Sequence, residues 1–198
     1  MNIICFNQND QKLLAIIFNE NKVEKIEKRD DFSIGYDAES NLVFINIFNQ
    51  TFNEKYDYGL IYPTKEFLEE LTNFTGLYLN NYINHSKIIV AKIVSLEPIP
   101  NTHLNYCDVQ INQEKVIKIV CGAKNAREGL LTVAALDKTL IPTGIFIKKG
   151  KLMNLDSNGM LCSAKELKLE NESSGIIELN NDKYNIGDIF KDVYVNLK

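Results

Sequence analysis

Short apolar runs separated by turn-forming residues dominate the second half of this chain. Five such runs, rich in Val, Ile and Leu, follow one another closely, and each is shorter than an ordinary helix. Residues 125–128 have room for one helical turn, which Gly129 would end. The pattern predicts a small all-β barrel, closed or partly open, with five strands and a short helix between the third and fourth strands. The five runs span residues 87–96, 104–111, 116–121, 130–136 and 145–149.

The first half of the chain reads as strands followed by a helix. Residues 2–6 and 13–18 favour strands, and the turn-prone residues 7–10 between them predict a hairpin loop. Residues 42–48 (LVFINIF) predict a buried strand. Thr64 is placed to cap a helix in which apolar side chains recur at helical spacing. These elements predict a small α+β domain. The recurring helical positions are Phe67, Leu68, Leu71 and Phe74.

A polar segment separates the two halves. Residues 80–86 (NNYINHS) show no apolar period, which makes them the best candidate for a domain boundary. We therefore predict an α+β N-terminal domain of unknown role over residues 1–82 and a barrel domain over residues 86–198.

Composition bears on the location of the protein and on its cysteines. No apolar run approaches the roughly 20 residues that a membrane span needs. The N-terminus, MNIICFNQND, has neither the basic region nor the apolar stretch of a signal peptide. We therefore expect a cytoplasmic protein with no membrane partner. The four cysteines lie apart in apolar runs, which favours reduced, buried thiols over disulfides: Cys5, Cys107, Cys121 and Cys162.

Motifs that carry catalytic chemistry are not visible in the sequence. His85 and His103 lie far apart, and no metal-ligand spacing surrounds them. Neither a nucleophile triad, a Walker A motif nor a dinucleotide fingerprint is recognisable. The adjacent carboxylates at residues 30–31 and 69–70 could act as catalytic pairs, but such pairs usually belong to solvated faces. We predict no enzyme activity, no metal and no cofactor.

Charge is unevenly distributed along the chain. The net charge is −4, but residues 1–86 carry −6 and residues 87–198 carry +2. Residues 115–151 contain eight basic side chains and only two acidic ones. A local excess of this kind can attract a phosphate backbone, although a solvated lysine-rich surface would look the same.

Several local sequences in the second half together carry a family resemblance. Residues 120–129 read VCGAKNAREG and residues 157–163 read SNGMLCS, accompanied in order by KIIVAKIVSLEPIP, VAALDKTLIP and IKKGKL. Over residues 86–190 the chain resembles the tRNA-binding domain of free-standing bacterial tRNA-binding proteins. Similar domains occur in methionyl-tRNA synthetases and in the β subunit of bacterial phenylalanyl-tRNA synthetase. The resemblance implies that the barrel is an OB-fold. It also implies that the protein binds tRNA, often as a homodimer or as part of a synthetase.

The first candidate RNA site is a group of cations at the end of the fifth run. Lys148, Lys149 and Lys151 could follow a phosphate backbone with their long side chains. Strand alternation turns Phe146 outward beside Lys148 and turns Ile145 inward, so Phe146 is a candidate base-stacking platform. A contact with another strand, domain or subunit is the alternative for Phe146.

The second candidate is the SNGM segment, which we predict to be a loop. Ser157 and Asn158 offer hydrogen bonds to sugar or base edges, and Met160 offers an apolar contact. In the resembled family, the matching Ser and Met positions are implicated in tRNA contact. The alternative is structural, with Ser157 capping a turn and Met160 filling the mouth of the barrel.

The third candidate group follows Cys121. Lys124, Asn125 and Arg127 lie on the predicted helical turn, where Arg127 could hold a phosphate through both arms of its guanidinium. A solvated surface pair is an equal alternative. Asn101, in the loop after the first run, could contact a base edge.

The chain departs from the family pattern next to the SNGM segment. Where the family usually has Lys-Leu-Arg-Gly, this chain has Lys151, Leu152, Met153 and Asn154. The loss of a guanidinium there could weaken or redirect RNA recognition. The loop at residues 99–103 is also shorter than usual and lacks an acidic residue.

The layout is similar to a Gram-positive subfamily that places an extra N-terminal domain before the tRNA-binding module, and residues 46–49 (NIFN) resemble its signature. We predict a non-catalytic protein that contacts structured tRNA through an OB-fold face and the Ser157–Met160 loop. Its expected partners are a second copy, an aminoacyl-tRNA synthetase or another translation protein. The alternative is a protein-interaction module whose OB-fold has lost RNA binding, which the acidic first half favours.

Overall fold

The computed structural model describes residues 4–8, 12–79, 82 and 87–194, and most of its regular structure is β. The described residues form two compact units. The sheet unit contains the described residues up to 82 together with Tyr194, and the barrel unit is Lys87–Val193. Each unit has its own hydrophobic core.

The sheet unit is built on six antiparallel strands in the order β3-β4-β5-β2-β1-β6. Alternating side chains on β2 and β5 enter the core, where Leu14, Ile16 and Ile45 are fully buried. The predicted hairpin between the first two strands is confirmed. The strands are β1 (Ile4–Gln8), β2 (Leu13–Ile17), β3 (Lys25–Lys28), β4 (Phe32–Tyr36), β5 (Leu42–Ile47) and β6 (Gly59–Ile61).

The predicted hairpin loop began too early, because Asn7 lies inside β1 and is buried. Its side-chain amide donates hydrogen bonds to the carbonyl oxygens of Asn53 and Tyr56 at 3.1 and 3.0 Å. A polar residue that favours turns in isolation therefore serves here as an internal bridge.

Two helices cover this sheet unit, α1 (Gln50–Asn53) and α2 (Lys65–Thr75). The predicted cap of α2 is confirmed, since the Thr64 hydroxyl accepts a hydrogen bond from the backbone N–H of Phe67 at 3.2 Å. Gly76 ends the helix in the left-handed conformation, with φ +74°. Of the predicted boundary at residues 80–86, the structure describes only Tyr82, whose ring packs against Phe18 with centroids 4.7 Å apart.

The barrel unit contains five antiparallel strands in the order β15-β10-β7-β8-β9. The two edge strands come together and nearly close the barrel. At the junction, the N–H of Asn158 donates to the carbonyl oxygen of Lys118 at 2.9 Å, and the N–H of Val120 donates to the Ser157 hydroxyl oxygen at 3.2 Å. The five strands are β7 (Ile88–Pro98), β8 (Asn105–Gln110), β9 (Val116–Cys121), β10 (Leu131–Leu136) and β15 (Gly159–Leu161).

The predicted fifth strand was wrong. Residues 145–149 contribute only the two-residue β12 (Phe146–Ile147), which pairs with β11 (Thr139–Leu140) in a separate ribbon. A turn at Gly144, with φ +86°, leaves Ile145 exposed instead of inward. The fifth barrel strand is β15, within the segment predicted to be a loop. A second ribbon pairs β13 (Gly150–Leu152) with β14 (Leu155–Ser157).

The predicted short helix at residues 125–128 was also wrong, since residues 122–130 form consecutive turns with no helix among them. The N–H of Ala126 donates to the carbonyl oxygen of Ala123 at 3.2 Å, and the N–H of Leu130 donates to the carbonyl oxygen of Arg127 at 3.3 Å. Both are single i to i−3 turn bonds, and within the described residues 122–130 no i to i−4 bond joins them into a helix. Gly129, with φ +81°, donates its N–H to the carbonyl oxygen of Ile93 at 2.8 Å and returns the chain to the barrel.

Candidate nucleic-acid interface

An aromatic ring and a cation meet on the outward face of β8 and β9. Because Cys107 and Ile119 point into the core, alternation turns Tyr106 and Lys118 to the opposite face. The ammonium of Lys118 lies 4.9 Å from the centre of the Tyr106 ring. Sequence reasoning missed Tyr106, although its alternation with Cys107 could have indicated it.

Lys118 also pairs with Asp108, its direct neighbour across the two strands. The ammonium lies 2.7 Å from the Asp108 carboxylate, and that hydrogen bond lowers the pKa of Asp108 and raises the pKa of Lys118. Asp108 additionally accepts a hydrogen bond from the Ser95 hydroxyl at 2.7 Å. The outward face therefore presents a fixed group of one ring, one cation and one carboxylate.

The SNGM segment forms the seam of the barrel instead of a free loop. Ser157 ends β14, and Met160 lies in β15 opposite Ala135. Besides receiving the Val120 N–H, the Ser157 hydroxyl contacts the carbonyl oxygen of Gly159 at 3.3 Å. The side-chain amide of Asn158 donates a hydrogen bond to the backbone carbonyl oxygen of Lys118 at 3.3 Å. The polar groups of Ser157 and Asn158 thus form hydrogen bonds to β9 across the seam, a position that neither the RNA contact nor the turn cap predicted for Ser157 had included.

Close packing between β15 and β10 requires glycine at position 159. A Cβ atom at this position would lie 2.7 Å from the carbonyl oxygen of Ala135, so a larger residue would push β15 away from β10. With Leu161 buried in the core, Met160 turns to the other side of β15 and is partly exposed.

Met160 borders an open cleft of about 490 Å³. One wall comes from the end of β9 and the loop after it, residues 120–123. The turn after β15 contributes Ser163, Lys165 and Glu166, and residues 173–176 form the remaining wall. Glu166 accepts hydrogen bonds from both the N–H and the hydroxyl of Ser163 at 2.7 Å, which fixes the turn.

Asn125 and Arg127 are engaged within the protein. The Asn125 amide binds the backbone of Ile176, and Arg127 forms a two-armed ion pair with Glu178, with N–O distances of 2.9 and 2.6 Å. Arg127 lowers the pKa of Glu178 to about 2. The predicted phosphate-binding fork of Arg127 is therefore occupied by a carboxylate, while the neighbouring Lys124 is exposed.

The predicted lysine group lies along the two ribbons. The Lys148 ammonium is 5.2 Å from the centre of the Phe146 ring, so this predicted pair is adjacent in the structure. The backbone N–H of Lys149 donates to the Asp137 carboxylate at 2.7 Å. The side chains of Lys149 and of Lys151, which lies on β13, are exposed. Asn101 lies in the turn between β7 and β8, exposed and in the left-handed conformation, with φ +60°.

The remaining chemistry-bearing groups give no second centre in the part of the chain that the structure describes. There, no group of three or more His, Cys, Asp and Glu side chains is arranged to hold a metal ion. Each of the four cysteines is a buried thiol. No helix among the described residues is long and apolar enough to span a membrane.

Comparison with known proteins gives the barrel unit a family. Residues 88–187, half of the chain, match the family model described as "Putative tRNA binding domain". An uncharacterized protein of Mycoplasma genitalium is 40% identical over 144 residues, or 73% of this chain and 63% of that protein. Its Mycoplasma pneumoniae homolog is 35% identical over 177 residues, or 86% of this chain and 75% of the relative.

The β subunit of phenylalanine–tRNA ligase from Wolbachia sp. subsp. Brugia malayi is 43% identical over 136 residues, which is 64% of this chain but only 17% of the subunit. The chain thus spans less than two thirds of the Mycoplasma genitalium relative and a small part of the ligase subunit. The resemblance found in the sequence is confirmed. This chain belongs to the tRNA-binding domain family.

Proposed function

We propose that this chain is a non-catalytic tRNA-binding protein whose barrel unit is an OB-fold. In this proposal the outward face of β8 and β9 contacts structured tRNA, together with the seam formed by Ser157–Met160. The observation that carries the proposal is the pair of Tyr106 and Lys118, a ring and a cation 4.9 Å apart on that face.

An aromatic ring beside a cation suits nucleic acid that is not fully paired. Stacking of a base on such a ring contributes about 1–3 kcal/mol for any of the four bases, and a nearby ammonium can follow the phosphates. The ion pair of Lys118 with Asp108 is partly exposed, so a competing phosphate can displace it at low cost. Recognition of this kind reads shape and unstacked bases more than duplex sequence.

The lysines of the ribbons supply a second contact in this proposal. Lys148, Lys149 and Lys151 are exposed and close together in sequence, and Lys148 lies over the Phe146 ring. Phosphate contacts of this kind add affinity that depends strongly on salt. Ser157 and Asn158 take an indirect part, since they hold the seam on which Met160 is presented.

Partners follow from the weak binding expected of one small surface. A homodimer would present two linked copies and raise the effective concentration of the second site. Docking on an aminoacyl-tRNA synthetase or another translation protein would do the same. The relatives named as phenylalanine–tRNA ligase subunits support tRNA as the ligand. Because we propose tRNA as the ligand, we also propose that the protein acts in the cytoplasm.

Fluorescence anisotropy with bulk tRNA across a salt series tests this proposal. We expect log K to fall with log salt by about 0.7–0.9 per phosphate contact, with several contacts, and tRNA to outcompete duplex DNA. Tyr106→Ala should weaken binding about tenfold or more, and K148A/K149A/K151A should flatten the salt dependence. Tyr78→Ala, which removes an exposed tyrosine of the sheet unit, is the matched control. A folded protein that leaves tRNA unbound at low salt would show that the proposal is wrong.

One observation favours the alternative, a protein-interaction module. At the tip of the β13–β14 ribbon, Leu152 and Met153 are 48% and 58% exposed, where a tRNA-binding surface would benefit from cations. This alternative predicts no salt-sensitive RNA binding. It also predicts that Leu152→Ser and Met153→Ser weaken association with a protein partner while leaving the barrel folded.

A further inference from the structure

The cleft beside Met160 has the size and chemistry of a nucleotide pocket. We infer that it receives one unstacked nucleotide of the bound RNA, with the base against Val120 and Met160 and the phosphate near Lys165. This inference rests on the proposed function, because the nucleotide belongs to the RNA that the outward face holds.

The volume and lining of the cleft fit that ligand class. At about 490 Å³ the cleft lies in the range of sites that bind small molecules, roughly 300–1,000 Å³. Val120 and Met160 give an apolar surface on which a base can lie, and Ser173 and Ser174 bring exposed hydroxyls to the opposite wall. Lys165 is the one cation among the lining residues that the structure describes. The neighbouring Glu166 is turned toward Ser163 by two hydrogen bonds.

The walls are fixed before any ligand binds. Asn125 holds the backbone of Ile176, and a Cβ atom at Gly175 would collide with the Asn125 amide, so the two loops are in close contact. A Cβ atom at Gly122 would lie 3.0 Å from the side chain of Leu104. Glycine at both positions lets these segments pack closely against Asn125 and Leu104, which fixes the shape of the cleft.

The cleft is continuous with the outward face. Tyr106 and Val120 are direct partners across β8 and β9, and Val120 also lines the cleft. A base stacked on Tyr106 therefore lies one strand away from the entrance. RNA that crosses β8 and β9 can place a following nucleotide beside Met160 without leaving the surface.

The test uses the whole chain labelled with ¹⁵N and titrated with adenosine and cytidine 5′-monophosphates. We expect shifts of the backbone amides of Gly122, Ala123 and residues 173–176. Ser174→Trp, which fills the cleft, should abolish these shifts and weaken tRNA binding about tenfold, the loss expected for one stacked base. Lys165→Gln should reduce the amide shifts and weaken tRNA binding, each to a smaller extent than Ser174→Trp. Lys65→Gln, at an exposed position of α2 in the sheet unit, is the control with the same charge change and should alter neither the cleft shifts nor tRNA binding.

The outcomes separate the inference from the proposed function. If the wild-type chain binds tRNA but the mononucleotides shift no cleft amide, or if Ser174→Trp is folded and binds tRNA as tightly as wild type, the nucleotide pocket is wrong and tRNA binding stands. If the wild-type chain fails to bind tRNA, the proposed function fails. The inference is supported if the mononucleotides shift the cleft amides of the wild-type chain and if Ser174→Trp both removes these shifts and binds tRNA more weakly.

Discussion

The side chain of Asn125 is hydrogen-bonded at both ends to the backbone of Ile176. Its amide nitrogen donates to the carbonyl oxygen of Ile176 at 2.8 Å, and its oxygen accepts from the N–H of Ile176 at 3.0 Å. The side chain thus occupies the position that a neighbouring strand would take and satisfies two backbone groups far away in sequence. Asn125 is a structural residue that fixes one wall of the cleft.

Replacing Asn125 by Ala should destabilise the barrel unit. The N–H and carbonyl of Ile176 would lose their partners in a half-buried setting, which costs about 1–3 kcal/mol in the free energy of unfolding. Urea unfolding followed by circular dichroism measures this loss. Lys124→Ala, at the exposed neighbouring position, is the control and should change stability by less than about 0.5 kcal/mol. Equal stabilities for the two variants would contradict the structural role of Asn125.

The ion pair of Arg127 and Glu178 should make stability depend on acid pH. Arg127 lowers the pKa of Glu178 from 4.5 to about 2 in the folded protein, so the carboxylate contributes stability above pH 4.5 and loses that contribution as the pH falls toward 2. Glu178→Gln should therefore reduce the fall in the free energy of unfolding across this range, measured by urea unfolding at several pH values. Glu172→Gln, an exposed glutamate of the same segment, should retain the wild-type dependence. An unchanged slope in Glu178→Gln would show that the pair is not formed in solution.

Among the four cysteines, Cys121 should react first with iodoacetamide. It is 6% exposed and borders the cleft, whereas Cys5, Cys107 and Cys162 are 1% exposed or less. Hydrogen bonding by the Cys107 thiol lowers the pKa of Cys121, while burial raises the pKa of Cys5 and Cys162. Labelling measured by peptide mass spectrometry should accelerate as the pH rises and should slow in Cys107→Ala. First labelling at another cysteine would refute this order.

Elements with local signals could be predicted from the sequence. The strand β9 has the predicted bounds, residues 116–121, because four of its six residues are Val or Ile and the turn-prone Asn112 and Gln113 precede it. Helix α2 begins where Thr64 predicts, since its hydroxyl meets the N–H of Phe67. In both cases the residues within one turn or one strand determine the outcome.

Elements that depend on distant partners could not be predicted. The three residues of β15 include Gly159 and follow Asn158, which locally favour a loop, and they become a strand only by pairing with residues 134–136. The same limit applies to the site. Nothing near Asn125 or Arg127 indicates that Ile176 and Glu178, 51 residues later, will bind them.

Restoring a cation at the tip of the β13–β14 ribbon should strengthen tRNA binding. Met153 and Asn154 both have positive φ, at 53° and 64°, and together turn the chain between the two strands, so the Met153 side chain is exposed beside the lysine-bearing strand. In Met153→Arg, one more phosphate contact should tighten binding at low salt and steepen the dependence of log K on log salt by about 0.7–0.9. Anisotropy with bulk tRNA measures both quantities. Met153→Gln, which has similar length and no charge, isolates the effect of the guanidinium. If Met153→Arg and Met153→Gln bind alike at every salt concentration, the ribbon tip does not face the RNA, and the exposed Leu152 and Met153 are better explained as a contact with protein.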